Sequence, residues 1–345
     1  MPIYGLLRSS SGIRFKSSLP SSSSPSSRRR PQKKKIPFSH AETGPFTQPQ
    51  PWHSNVYLGD GFLRRNLDRI LPTEVLRDIQ PDLVRFGERV STDIWRLSRE
   101  CEEDPPRLRT TDAWGNRIDQ IVTCPAWKAQ KAVSATEGLI ALAYHRDHGA
   151  FSRIHQVVKL SMYGPASGMY GCPLAMTDGA AKTIEANGLD VDVLQEPFER
   201  LTSRDPHRFW TSGQWMTEKA GGSDVGSGTE TLAVQDRDRA EVFRLYGYKW
   251  FSSATDSDMS LTLAWVVGAD GAVIQGTRGI SMFYVKMRKE DGALNGIQVQ
   301  KLKNKLGTRQ LPTGELLLDG TEAVSYTHLT LPTSTLCRSR WSPYH

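Results

Sequence analysis

The chain has 345 residues, enough for two domains with cores of their own. Its formal net charge of +7 sits at the ends: residues 1–41 hold nine Lys/Arg, 325–345 hold two, and neither end holds an acid, so 33 of the 44 basic residues face 37 acidic ones in between. A mildly acidic body gives no bulk-charge support to nucleic-acid binding, and no apolar run approaches the ~20 residues of a membrane span.

Residues 1–41 are rich in Ser, Arg and Lys. Such a segment cannot bury a core and is expected to be a disordered basic leader. Leu6, Leu7 and Arg8, followed by Ile13, Arg14, Phe15 and Lys16, match a mitochondrial transit peptide, so a mitochondrial location is expected. The basic run at 28–35 reads alternatively as a nuclear localisation patch, and a tail with no address would leave the protein cytoplasmic.

Residues 42–205 read as a helical domain. Leu67, Ile70, Leu71, Leu76, Ile79, Leu83, Phe86, Val90, Ile94 and Leu97 recur at three- and four-residue steps. Pro72 interrupts that run with Thr73 as a candidate N-cap, and Pro105-Pro106 ends it. Further helices are expected over 127–145, over 154–162, and from 180 towards Phe198. Beyond Pro206 the period changes to two. Residues 242–246, 261–267, 280–285 and 315–318 read as strands, with turn signals at 236–239 and 269–272. A helical half followed by a β half, 206–324, predicts an α+β fold.

The four cysteines (Cys101, Cys124, Cys172 and Cys337) have no metal-like spacing and read as unpaired thiols in a reducing compartment. His145 and His148 admit a metal reading on one helix face, but a solvated helix end accounts for them, and no metal is assigned.

Two motifs carry chemistry. Residues 214–224 run Gln-Trp-Met-Thr-Glu-Lys-Ala-Gly-Gly-Ser-Asp, and residues 247–253 run Gly-Tyr-Lys-Trp-Phe-Ser-Ser. A flavin is a flat ring with polar edges and a phosphate tail. It needs hydroxyls and N–H groups at its edge, an aromatic wall, and a glycine turn near the pyrophosphate. Thr217, Ser223, Ser252 and Ser253 supply hydroxyls, Trp250 and Phe251 flat surface, and Gly221-Gly222 a turn without Cβ atoms. Alone, the first motif is a surface turn and the second a sheet core. Their order and spacing favour the flavin reading.

These motifs resemble the flavin-facing edge of the acyl-CoA dehydrogenase middle domain. Residues 107–119, 125–127, 172–177 and 303–309 extend the resemblance to the AidB-like branch of that family, over about residues 45–322. Trp215 stands where general members carry a small residue, which favours that branch and leaves the usual substrate open. The resemblance implies an N-terminal helical domain, a β-barrel-like middle domain and a C-terminal helical domain. It also implies FAD between the last two, and a dimer or tetramer. Gln214, Trp215, Met216, Thr217, Glu218, Gly221, Gly222, Ser223, Phe251, Ser252 and Ser253 are the implied cofactor-binding residues, with Glu218 read as holding the turn. The implied reaction is α,β-dehydrogenation of an acyl thioester, passing electrons to a separate acceptor. A second reading is a flavoprotein with little dehydrogenase activity that acts by binding, with nucleic acid the candidate partner. A third is a degraded gene product.

From 325 to 345 the acids vanish and no period continues. This break predicts adaptor- or vector-derived sequence; a frame error, a retained intron or a native short tail are the alternatives. The implied C-terminal domain, with its catalytic base, has no counterpart here, so no catalytic residue is assigned. The chain alone is expected to bind FAD weakly or not at all, and to be inert.

Overall fold

The computed structural model describes Gln48 and residues 54–187, 192–274, 276 and 278–326, so the readings for 1–41 and for 327–345, with Cys337, lie outside the described residues. Every element falls within residues 52–345. The helical half opens with α1 (Val56–Gly59) and α2 (Gly61–Ile70), whose first N–H groups are capped by the side chains of Asn55 and Asp60. Helix α3 (Thr73–Arg89) continues through a π turn (Val90–Ile94) into α4 (Trp95–Glu103), burying Ile79, Leu83, Phe86, Val90 and Ile94 on one stripe. Thr73 is the first helical residue and Pro72 holds the cap position, with no side-chain capping bond.

The helical pattern expected across this half is broken by an antiparallel hairpin, β1 (Arg107–Thr111) and β2 (Arg117–Val122). Its turn is organised by Asp112, whose carboxylate accepts from the N–H groups of Trp114 and Asn116. The single helix expected over 127–145 is two, α5 (Pro125–Thr136) and α6 (Leu142–His145), because Gly138 adopts φ +63° after α5. Arg146 then turns left-handed at φ 58°, so His145 and His148 do not share a helix face. Helices α7 (Ser152–Tyr163), α8 (Gly171–Asn187) and α9 (Asp192–Leu201) complete this half.

The β half contains β3 (Ser212–Trp215), a short helix α10 (Val225–Gly228), β4 (Leu232–Gln235), β5 (Val242–Ser253), β6 (Met259–Val266), β7 (Ile280–Lys286), β8 (Ile297–Leu302) and β9 (Thr313–Tyr326). Strands β6, β4, β5, β9 and β7 pair in sequence, and β7 pairs back to β6, which closes a barrel. β3 extends the β6 edge in parallel, and β8 pairs with β9. The two-residue period sorts the side chains. Ala264, Phe283 and Val285 enter the barrel interior, whereas Leu261, Leu263, Met282 and Tyr284 pack outward on Ala180, Ile184 and Leu194 of α8 and α9. Strand β9 continues past the expected boundary at 324, with Ser325 and Tyr326 opposite Phe283 and Met282.

The two halves are joined at named contacts. Trp127 Nε1 donates to Asp256 Oδ2 at 2.7 Å, and Lys131 pairs with Asp258 at 2.7 Å. Asp119 of β2 accepts from Arg117 and from the N–H of Val299 on β8.

Candidate functional site

The two sequence motifs, some thirty residues apart, meet at one edge of the barrel. Strand β3 delivers the first motif out of a parallel pairing with β6, and Thr262 Oγ1 donates to the carbonyl of Trp215 at 2.5 Å. Glu218 and Lys249 then form an antiparallel bridge, and the Trp250 N–H donates to the Thr217 carbonyl at 3.0 Å. Trp215 Nε1 donates to the carbonyl of Ser253 at 3.2 Å. Each motif is therefore registered on the other by backbone atoms.

The Gly-Gly-Ser turn closes through reciprocal bonds: the Glu218 N–H donates to Gly221 O at 2.9 Å, and the Gly221 N–H to Glu218 O at 3.3 Å. Gly221 packs on the backbone of Gly228, and a Cβ there would meet the Asp224 carbonyl at 2.8 Å. At Gly222 a Cβ would face open space.

Strand alternation divides the expected lining residues. Gln214, Gly222, Ser223 and Phe251 are exposed, and Met216, Thr217, Gly221 and Ser253 are half-buried. Trp215, Glu218 and Ser252 were expected to line the same surface, but their side chains turn inward and are at most 2 % exposed. On β3 the neighbour of exposed Gln214 must point into the barrel, and on β5 a register shift between Lys249 and Ser252 turns Ser252 inward while Phe251 stays exposed. Trp215 joins the barrel core. The Glu218 carboxylate accepts from Lys249 Nζ at 2.5 Å, from the Glu230 N–H at 2.6 Å and from Thr231 Oγ1 at 2.5 Å. These three residues shape the edge from behind.

Sequence reasoning missed the cations around it. Lys303 Nζ lies 3.1 Å from the centroid of the Trp250 ring, with Lys219 at 5.3 Å and Lys301 at 5.9 Å. Lys303 and Lys301 also pair with Glu315, at 2.7 and 3.1 Å. Burial works to raise the Glu315 carboxyl, but bonds from Lys303, Tyr248 and Lys301 outweigh it and leave it at about 2. Lys305 donates to Thr313, which touches Ser253. Residues 303–309 entered the sequence reading only as a resemblance, since nothing in their local pattern says that they fold back on Trp250 and Ser253.

Residues 213–321 match the acyl-CoA dehydrogenase middle domain, and residues 47–205 match the N-terminal domain of the adaptive response protein AidB. Together these matches cover both halves of the fold, in the order observed. The chain belongs to the acyl-CoA dehydrogenase family, in its AidB-like branch. It is 50 % identical over 287 residues to acyl-CoA dehydrogenase family member 11 of Caenorhabditis elegans, covering 82 % of this chain and 46 % of that protein. It is 31 % identical over 279 residues to the putative acyl-CoA dehydrogenase AidB of Escherichia coli (strain K12), covering 76 % and 47 %. Among solved structures, the C. elegans ACDH-11 complex with C11-CoA matches with a TM-score of 0.80 at 48 % identity, over 84 % of this chain and 49 % of that one. The apo form of Bd2924 matches with a TM-score of 0.77 at 45 % identity, over 81 % and 55 %. This acyl-CoA dehydrogenase-like chain spans about half the length of the curated relatives it matches.

Proposed function

We propose that this chain supplies one wall of an FAD site in an oxidoreductase that carries out α,β-dehydrogenation of an acyl thioester. The observation that carries the reading is the meeting of the two motifs through the Trp250–Thr217 backbone bond, with Thr217, Ser223, Phe251 and Ser253 on the accessible side. The residues present fit the cofactor. The close approach of Gly221 to Gly228 makes a turn that no Cβ obstructs, beside the exposed Ser223. Bound FAD supplies the hydride acceptor for oxidation between Cα and Cβ. Thr217 and Ser253 would hold the ring edge, Ser223 and the glycine turn the pyrophosphate, and Phe251 one face. Of the two acids within the first motif, Glu218 is committed to Lys249 and Asp224 to Ser227, so neither is assigned as a catalytic base.

The acyl-thioester class rests on kinship: the C. elegans relative is bound to C11-CoA. An electron acceptor and a homo-oligomer belong to the same proposal. The test is titration of the chain with excess FAD, followed by quenching of flavin fluorescence. We expect weak but saturable binding that falls further in Thr217→Val and Ser223→Ala; an unsaturable signal, identical in the variants, would sink the reading. A mitochondrial location is proposed on the composition of residues 1–41. A fusion of that segment to a fluorescent protein should enter mitochondria, and a nuclear or diffuse signal overturns it.

A further inference from the structure

Strand β9 begins at Thr313, paired in register with Ser253, the last residue of β5. Their hydroxyl oxygens are 3.1 Å apart. The loop between β8 and β9 brings Lys305 onto the same point, where its Nζ donates to Thr313 Oγ1 at 2.7 Å and to the Leu311 carbonyl at 2.7 Å. Leu311 is itself packed into the core of the helical half, so this loop is held from both sides.

The direction of these bonds follows from what each group can do. An ammonium has only hydrogens to give, so Thr313 Oγ1 must accept from Lys305. Thr313 is 1 % exposed, and among the described residues its other recorded side-chain neighbour is Ser253 Oγ. If Ser253 donated to Thr313, the Thr313 hydrogen would be stranded in the interior. Donation from Thr313 to Ser253 spends that hydrogen and leaves the Ser253 hydrogen free to point outward, beside the exposed Phe251.

We propose that Lys305 is a positioning residue for the cofactor edge: acting through Thr313, it presets Ser253 as a hydrogen-bond donor towards an acceptor atom of the flavin ring and lays a positive charge behind that contact. The proposal rests on the FAD reading above. It adds the source of the polarity, a cation one hydroxyl removed from the ring, where it favours negative charge developing at the contact. Lys305 touches neither ring nor substrate in this arrangement and acts only through the two hydroxyls.

The experiment is a double-mutant cycle on FAD affinity, read by flavin fluorescence quenching, with the intact chain, Lys305→Met, Ser253→Ala and the pair. Each single change should weaken binding by about tenfold, a change of about 1.4 kcal/mol. The double variant should bind no more weakly than Ser253→Ala alone, because one contact is being removed twice. A merely structural lysine would lower the melting temperature and give losses that add. Thr313→Val, which breaks the relay and keeps the lysine, should reproduce the loss and serves where Lys305→Met fails to fold. Additive losses, or Lys305→Met or Thr313→Val binding FAD as the intact chain does, overturn the proposal while leaving the FAD reading standing. If the intact chain takes up no FAD, both fall.

Discussion

Glu218 and Lys249 form an ion pair of 2.5 Å with their side chains 1 % and 0 % exposed, and it fastens the first sequence motif to the strand that carries the second. Lys249 Nζ also donates to the Leu263 carbonyl on β6 at 2.7 Å, and Glu218 accepts from the N–H of Glu230 at the approach to β4. Burial pushes the lysine pKa down, and the charge and hydrogen bond of Glu218 oppose that shift. The pair thus gathers four segments of the barrel edge.

Glu218→Gln leaves a buried ammonium without its counter-charge and is expected to destabilise the barrel by about 3–5 kcal/mol. Glu218→Gln combined with Lys249→Met should recover part of that loss. Denaturant unfolding followed by tryptophan fluorescence measures both, and a single variant as stable as the parent would contradict the role given to the pair.

Gly221→Ala tests the turn. The added methyl would come within 2.8 Å of the Asp224 carbonyl and closer still to Gly228, both of them backbone. We expect a loss of about 1–3 kcal/mol from overpacking, together with weakened FAD binding. Gly222→Ala, which meets nothing within 4 Å, should leave stability nearly unchanged.

Acid should loosen the helical half through Glu137. This carboxylate, 3 % exposed, accepts from Arg85 and Arg89 at 2.6 Å and from Lys159 at 2.9 Å. Burial pushes its pKa up, but the bonds from Arg85, Lys159 and Arg89 outweigh that and hold it at about 2, below the ordinary 4.5. A depressed folded pKa means that the ion stabilises the fold above pH 4.5, and that this contribution is lost as pH falls from 4.5 to about 2. Helical circular dichroism against denaturant across that window should show the decline. Glu137→Gln should be less stable than the parent at neutral pH and change less across the window.

At the alkaline end Lys305 gives a slope of the same sign, from a different cause. Burial lowers its pKa from 10.5 to about 8, although the nearby Cys172 thiol acts to raise it. Between those values the unfolded chain holds the proton more firmly than the folded one, so this group makes stability rise with pH from about 8 to 10.5. Lys305→Met should flatten that part of the stability–pH curve, and an unchanged slope would argue against the burial.

Much of this was written locally. The three- and four-residue spacing of Ile79, Leu83, Phe86 and Val90 announces α3, and the alternation in 280–285 announces β7. The hairpin at 107–122 escaped because its residues are mostly exposed and carry little apolar period. The strands β3 and β4, four residues each, escaped because so short a run holds too few alternations to count. At the candidate site, residue type singled out Thr217, Ser223 and Phe251, which lie on the accessible side. It said nothing of which neighbours turn inward, since that depends on strand register.

By itself, then, the sequence determined the family, the order of the helical and β halves, and the pair of motifs, because each is carried by residue type and short-range spacing. Only the tertiary structure decided that Trp215, Glu218 and Ser252 work from inside the barrel, and that Lys303 and Lys305 arrive at Trp250 and Ser253 from some fifty residues away. A side chain's facing and its distant partners are set when the sheet closes, and no local pattern records that closure.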